Sequence, residues 1–365
     1  MIKYSTKELL VVWIDSFAGF EYKRKTELLE FFDGKSGIKR EIEDKKSELV
    51  SSFGEKVYGN LSASATDVYL KSVLNKLEKA GMKAVTLYSA EYPTRLKNTE
   101  IPPLVLYAKG DLSLLKDKKF SIVGSRKSLP LSINLAKSYA QELSRAGFTI
   151  VTGIAQGVDT AVIESVSDVG GKVISVVAGG INHVFPSVSA NLFDKIIKNG
   201  LILSEYLPDV PPLPYFFPVR NRIIAWLSEG TLIVNGSIKS GTLYTAEYAQ
   251  SEGRDLFAVP YSVGVKSGEG SNKVIKEYGG YLTDSPKDLL DFYGLTENKK
   301  AVSLTDGEKA VVTALSDGEL HLEQLSHKLN KQVFEITPLI TMLEIKGVVV
   351  KNGVNVYGLA VRTEE

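Results

Sequence analysis

The sequence predicts an α/β protein: a parallel sheet covered by helices on both faces, preceded by a helical region and followed by a winged helix. Three observations carry this. Short continuous apolar runs alternate with amphipathic stretches from Phe120 to Leu282, the pattern of strands buried on both faces by crossover helices. Glycine-bearing loops follow those runs at Gly124-Ser125-Arg126, Gly153, Gly179-Gly180 and Ser240-Gly241, all on the carboxyl edge where open α/β sheets take their ligands. Beyond residue 305, three helical segments precede a hairpin signal, the order of a winged helix-turn-helix.

In chain order, residues 1–82 are helical, with the apolar run Leu9–Trp13, the segment Lys25–Phe32 and the amphipathic Val68–Ala80. The charged stretch Lys35–Glu48 is read as a solvated helix face. From Lys83 an extended lead-in begins. It holds strands at Ala84–Tyr88 and Leu104–Tyr107, punctuated by Tyr92-Pro93 and Ile101-Pro102-Pro103. The central strands are expected at Phe120–Val123, Thr149–Val151, Lys172–Val177, Leu201–Leu203, Thr231–Val234 and Leu256–Val259. Helices fall near Leu131–Ala146, Asp159–Val169, Asn191–Asn199, Asn221–Leu227 and Thr242–Glu252. Leu295–Leu304 is a polar linker between a sheet domain at 83–294 and a last domain at 305–365. That domain carries helices near Glu308–Leu315, Leu322–Leu329 and Val333–Lys346, then two β-rich runs joined by an Asn352-Gly353 turn. Pro338 belongs near the start of the third helix, with Thr337 as its cap.

Composition narrows the chemistry. The 365 residues are 44% hydrophobic, enough for a sizeable core. The chain has no cysteine, which excludes disulfides, thiolate metal sites and cysteine nucleophiles. Its net charge is +1, so any polyanion site is a local patch. No run of about 18 apolar residues occurs, and the expectation is a cytoplasmic protein with no membrane contact. No two of the three histidines stand at metal-ligand spacing, and His183 is read as a loop residue beside the sheet edge, with Asn182, Phe185 and Pro186. The run Gly153–Asp159 does not match a dinucleotide fingerprint, and no acid follows at the end of the next strand. No cofactor and no metal are therefore expected.

The segment Phe217–Ala246 (FPVRNRIIAWLSEGTLIVNGSIKSGTLYTA) carries the most chemistry. Arg220, Asn221 and Arg222 stand against an apolar helix, and Ser240-Gly241-Thr242 opens another after a buried strand. A glycine-flanked hydroxyl at a helix start presents backbone N–H groups to an anion. Arginine forks beside it fit phosphate oxygens. Arg126 after the first central strand is either a surface arginine on a tight turn or a third phosphate ligand; beside the second cluster, the ligand reading is preferred. Of the aromatics Tyr215, Phe216 and Phe217, Phe217 is assigned to the ligand as a stacking face and the others to packing. The third helix of the last domain has Lys331, Gln332 and Glu335 at its start and few cations after, which argues against sequence-specific duplex reading.

With these residues in view, the chain resembles the DNA-processing protein A family (DprA, also called Smf). The resemblance runs in order through SIVGSRKSLPLS (Ser121–Ser132), TGIAQGVDTA (Thr152–Ala161), VVAGGINHVFP (Val176–Pro186), LSEYLPDVPP (Leu203–Pro212) and FPVRNRIIAWLS (Phe217–Ser228). It continues through Ser240–Pro260 and Gly270–Gly280, with Tyr92–Gly110 as the lead-in. It implies a Rossmann-like domain flanked by an N-terminal SAM-like helical domain and the winged helix. It also implies a cytoplasmic, homodimeric, non-enzymatic protein that binds single-stranded DNA, protects incoming DNA during natural transformation and loads the recombinase RecA. The DNA contacts it implies are Ser125, Arg126, Gly153, Phe217, Arg220, Asn221, Arg222, Lys239, Ser240 and Gly241. The chain departs from the family pattern at Ile163, Asn182, Asn235 and Tyr261. The alternative is a nucleotide-processing enzyme resembling the phosphoribohydrolases. There Thr245 stands where the catalytic glutamate belongs, and Glu247 is turned about 160° away on the helix.

Overall fold

The computed structural model describes residues 4–17, 20–183, 190–295, 304–316, 318–346 and 348–359. Gly19, Phe185, Pro186 and most of the expected linker at 295–304 lie outside these residues. The chain divides into two compact units, Met1–Gly294 and Leu295–Glu365.

The first unit begins with helices α1 (Thr6–Asp15), α2 (Tyr22–Phe31), α3 (Ile38–Asp44), α4 (Lys46–Phe53), α5 (Glu55–Ser64) and α6 (Asp67–Lys79). They surround a core of Leu10, Trp13, Leu28, Leu49 and Leu61. A capping box of Ser5 and Glu8 starts α1, and Thr66 caps α6. The charged stretch forms exposed i,i+4 pairs, Lys39–Glu43 and Arg40–Asp44, on a solvated face. These helices keep their own core yet share one compact unit with the sheet. Tyr107 Oη donates to Asp15 Oδ2 at 2.7 Å, and Ser89 Oγ donates to Glu8 Oε1 at 2.6 Å.

Among the described residues the sheet has nine strands: β1 (Lys83–Thr86), β2 (Val105–Gly110), β3 (Lys119–Val123), β4 (Thr149–Thr152), β5 (Val173–Val177), β6 (Leu201–Ser204), β7 (Gly230–Ile233), β8 (Asp255–Ala258) and β9 (Tyr281–Leu282). Their order is β1-β2-β6-β5-β4-β3-β7-β8-β9. From β6 to β9 every pairing is parallel, as in a Rossmann-like fold. The lead-in strands join the same sheet antiparallel, β1 on β2 and β2 on β6. The short strand β9 has no signal of its own in the sequence. Helices α7 (Thr94–Lys97), α8 (Pro130–Arg145), α9 (Val158–Asp168), α10 (Ala190–Asn199), α11 (Phe216–Leu227), α12 (Thr242–Ser251), α13 (Glu269–Glu277) and α14 (Pro286–Phe292) complete the unit. The chain runs outward from β3 through β4, β5 and β6, then returns along α11 to lay β7 on the other side of β3. The strand order therefore reverses between β3 and β7, which opens a crevice at their carboxyl ends.

Helix α11 begins at Phe216, earlier than the expected Asn221. Phe216 and Phe217 thus lie on the helix itself. The helix is pinned to the sheet where Ser121 Oγ of β3 donates to Ile224 O at 2.6 Å, and to α12 where Trp226 Nε1 donates to Tyr248 O at 2.8 Å.

The second unit contains α15 (Asp306–Ala314), α16 (Leu322–Leu329) and α17 (Val333–Ile345) over an antiparallel sheet of β10 (Leu320–His321), β11 (Val349–Gly353) and β12 (Val356–Leu359). Its core is built on Val311, Leu325, Ile336, Ile340 and Leu343. Two details differ from expectation. A capping box of Gln332 and Glu335 starts α17, so Pro338 lies inside the helix, where it removes one backbone donor. Thr337 is no cap, and its hydroxyl donates to Val333 O at 2.8 Å. The hairpin turns at Val354-Asn355 instead of Asn352-Gly353, with Asn355 left-handed at φ 57°. Asn352 is held in β11, and its Nδ2 donates to Glu319 Oε1 at 2.6 Å.

Candidate nucleic-acid interface

The loops after β3, β4 and β7 converge at the reversal point. The first follows β3. Ser125 N–H donates to Asn235 Oδ1 at 2.9 Å, and Ser128 Oγ donates to the same oxygen at 3.1 Å, so the loop after β7 sets the path of the loop after β3. The second follows β4 and leads into α9 through Gly157, whose φ of 86° only glycine adopts readily. A Cβ there would meet Ser125 O at 2.4 Å, so these two loops lie in backbone contact.

Gly153 marks the third close approach. A Cβ at this position would lie 2.4 Å from Asp159 Oδ2 and 3.0 Å from Arg220 Nη2. Its bare backbone admits a buried acid and a buried cation side by side. Asp159 is 7% exposed and Arg220 also 7%. Burial pushes the Asp159 carboxyl up, while Arg220 and the Ala155 N–H, which donates to it at 3.1 Å, hold it down. Burial also lowers the Arg220 guanidinium to about 10, with Asp159 opposing that fall. The arginine stays charged at neutral pH. Its Nη1 donates to Val176 O at the end of β5, and its Nε donates to Asn221 Oδ1 at 3.1 Å.

Asn221 in turn reaches the loop after β7, where its Nδ2 donates to Gly241 O at 3.1 Å. This loop starts α12 with Gly241 as the capping residue, and Thr242 N–H donates to Ser240 Oγ at 3.3 Å. The hydroxyl cap thus sits one residue ahead of the helix boundary. A Cβ on Gly241 would meet nothing within 4 Å, so this helix start opens to solvent and its positive dipole end faces the crevice.

Two adjoining hollows result. The larger, about 880 Å³, takes in Ser125, Arg126, Lys127, Asn221, Ser240 and Gly241. The smaller, about 200 Å³, is walled by apolar groups including Ile154, Val177, Ile181 and Phe193, with His183 at its edge. They share Arg126, Ala155, Phe217 and Arg220. The Arg126 guanidinium lies over the Phe217 ring, 5.1 Å from its centroid, and so stands between them.

Of the residues marked from sequence, Ser125, Arg126, Phe217, Arg220, Asn221, Ser240 and Gly241 line the crevice, and Gly153 lies directly behind Arg220. Lys239 is exposed on the loop before Ser240 and does not line either hollow. Arg222 is not in the crevice. It is buried on the opposite side of α11, where its Nη2 donates to Glu205 Oε1, because two residues turn a helix through about 200°. Sequence reading had not marked Asp159 or Lys266 as site residues, and both line the larger hollow. The GVD run at Gly157–Asp159 offered a signal for the acid, a side chain one step into a helix that follows a glycine turn. Lys266 comes from the loop after β8 and has none. Of the residues lining the hollows, Asp159 is the single acid among the described residues. Thr245 lines the larger hollow, whereas Glu247 is exposed and accepts from Tyr278 Oη at 2.9 Å.

Fold and site together define an open α/β protein whose crevice combines the buried Arg220, the exposed Arg126, Lys127 and Lys266, a helix N-terminus and an aromatic face. More particularly, residues 83–294 match the family model of DNA recombination-mediator protein A, and the chain belongs to that family. It is 38% identical over 223 residues to the DNA processing protein DprA of Bacillus subtilis, which covers 61% of this chain and 75% of the relative. The crystal structure of DNA processing protein A from Streptococcus pneumoniae is similar over 80% of this chain and 98% of that one, with a TM-score of 0.67 and 29% identity. A structure of the Helicobacter pylori protein, solved for its single-stranded DNA binding mode, covers 58% of this chain and 95% of that one at a TM-score of 0.53 and 27% identity. Among the described residues no helix is long and apolar enough to cross a membrane.

Proposed function

We propose that the crevice between the ends of β3 and β7 binds single-stranded DNA. In this reading the protein is a cytoplasmic, non-catalytic mediator that shields incoming DNA strands and delivers them to the RecA recombinase during natural transformation, working as a homodimer. The observation that carries it is the shared wall of the two hollows, where Arg126 stacks on Phe217 beside the buried Arg220. Phosphate oxygens fit Arg220, Arg126, the Ser125 loop and the N–H groups at Ser240-Gly241, with Asn221 holding that loop and Lys239 adding charge at the approach. An aromatic face favours unpaired bases, which a duplex keeps stacked. Family membership and the single-stranded DNA described for the Helicobacter pylori relative support the same reading.

One crevice spans few nucleotides, so two crevices on one dimer raise affinity through effective concentration. The test is fluorescence anisotropy of labelled oligo-dT against its duplex across a salt series. Preferential binding of the single strand with a steep salt slope is expected. Equal or absent binding of both, together with release of base from a nucleoside monophosphate, would replace this reading with the phosphoribohydrolase-like one.

A further inference from the structure

Helix α11 carries a second arginine that the crevice does not use. Phe217, Arg220 and Asn221 face the larger hollow, while Arg222 and Trp226, four residues apart, share the opposite face. Arg222 is 5% exposed, and its guanidinium lies over the Trp226 ring, 5.7 Å from the centroid. Its Nη2 donates to Glu205 Oε1, and its Nη1 has no hydrogen-bond partner among the described residues. Glu205 directly follows β6. The next residue, Tyr206, stacks on Phe216 with centroids 4.0 Å apart, one position before the crevice ring of Phe217. Burial raises the Glu205 carboxyl, Arg222 opposes this, and Asp15 and Lys25 of the N-terminal helical region act on it with opposite signs. Those two residues pair at 2.9 Å, and Asp15 also accepts from Tyr107 of β2. The Glu205–Arg222 pair at the back of α11 and the Asp15–Lys25 pair of the N-terminal helices are thus two separate ion pairs within electrostatic reach of each other.

We propose that Glu205 and Arg222 are a positioning pair for the crevice: they fix the rotation of α11 that turns Arg220 and Phe217 toward the DNA strand. This rests on the strand-binding reading of the crevice. The Nη2–Oε1 bond and the Trp226 ring under the guanidinium together hold Arg222 in one orientation, and a buried pair of this kind specifies register where an apolar pair of equal volume would permit sliding. The helix rotation matters because one face holds the binding groups and the other holds the pair.

The test uses the full chain, labelled oligo-dT and a salt series, with thermal melts to confirm folding. Glu205→Gln and Arg222→Gln are each expected to weaken DNA-strand binding about tenfold, the size of coupling found between contacting residues, with the salt slope unchanged because no phosphate contact is lost. The double variant Glu205→Gln/Arg222→Gln, in which two amides replace the ion pair, is expected to recover to within about twofold of wild type, since replacing both partners removes the orphaned charge. A slope lowered by about 0.7 in Arg222→Gln would make Arg222 a phosphate ligand and overturn the proposal. Wild-type affinity in both single variants would overturn it as well. Arg220→Ala serves as the control: wild-type binding there sinks the crevice reading itself, and this proposal with it.

Discussion

The carboxyl edge of the sheet and helix α17 of the second unit present opposite chemistry to solvent. The edge offers Arg126, Lys127, Lys266 and the start of α12, with Arg220 set behind them and Phe217 as a flat apolar face. Helix α17 stands where a helix-turn-helix protein reads a groove, yet its exposed side carries Phe334, 75% exposed, Ile345, 74% exposed, and Met342. Glu335 and Glu344 are exposed beside them. Helix α17 itself, from Val333 to Ile345, carries neither lysine nor arginine. What binds a polyanion is the convergence of partly desolvated cations and backbone donors, and here that convergence lies at the sheet edge.

The two units also differ in how they hold their buried acids. Asp159 and Glu205 have carboxyls pushed up by burial, whereas Glu308 of the second unit is held below its ordinary value, first by Lys346 Nζ at 2.6 Å and then by the Thr305 N–H at 2.7 Å. Asp159 sits beside Arg220 at the wall of the crevice, and Glu205 beside Arg222 on the opposite face of α11. Glu308 closes a helix cap and pairs with Lys346.

The largest effect that would test this contrast is at Arg220. Arg220→Ala is expected to weaken oligo-dT binding about 100-fold, the upper range for a charge-assisted contact, and to lower the salt slope by about 0.7 per lost phosphate. An unchanged slope would move the phosphate contact elsewhere. Phe217→Ala is expected to cost about tenfold at unchanged slope, as stacking does; a change of slope instead would show that the ring acts only by seating Arg126. The smallest effect on binding is at Glu308. Glu308→Gln is expected to leave DNA-strand affinity within about twofold of wild type, because a contact in one compact unit and a site in another add independently.

Glu308 does carry a pH dependence. Its folded-state pKa is depressed, so its stabilising contribution is present above the ordinary value of 4.5 and is lost as pH falls through the lower folded value. Hydrogen exchange of α15 amides is expected to accelerate in the wild type as pH drops below 4.5, after correction for intrinsic rates, and to show no such step in Glu308→Gln. A step that persists in the variant would assign it to another carboxylate.

Much of the site was legible because it is written in local patterns. A buried apolar run followed by Gly-Ser-Arg, or by Ser-Gly-Thr ahead of a helix, states both the element and the chemistry at its end within ten residues; Arg126, Ser240 and Gly241 were read that way, and Arg220 and Asn221 from their place against an apolar helix. The parallel strands were legible for the same reason, their runs being apolar on both faces. Arg222 was not, since its direction depends on the phase of α11 against Glu205, 17 residues earlier in the chain. Lys266 was not, because its loop meets the crevice only through the pairing of β7 and β8. Strand β9 escaped because two residues carry no period, and the inward position of Pro338 follows from the start of α17 at the Gln332–Glu335 capping box, ahead of the proline.

By itself the sequence determined the class of fold, the places where helices and strands alternate, the absence of thiol chemistry and the residue types available to an anion. Tertiary structure alone decided that the strand order reverses between β3 and β7, that Asp159 and Arg220 share the space left by Gly153, and that neighbouring arginines on one helix face opposite ways. The reason is physical. Element type and turn chemistry follow from contacts within a few residues, whereas strand order and helix rotation are settled by burial across the whole sheet, where partners more than 100 residues apart, such as Ser121 and Ile224, compete for the same surface.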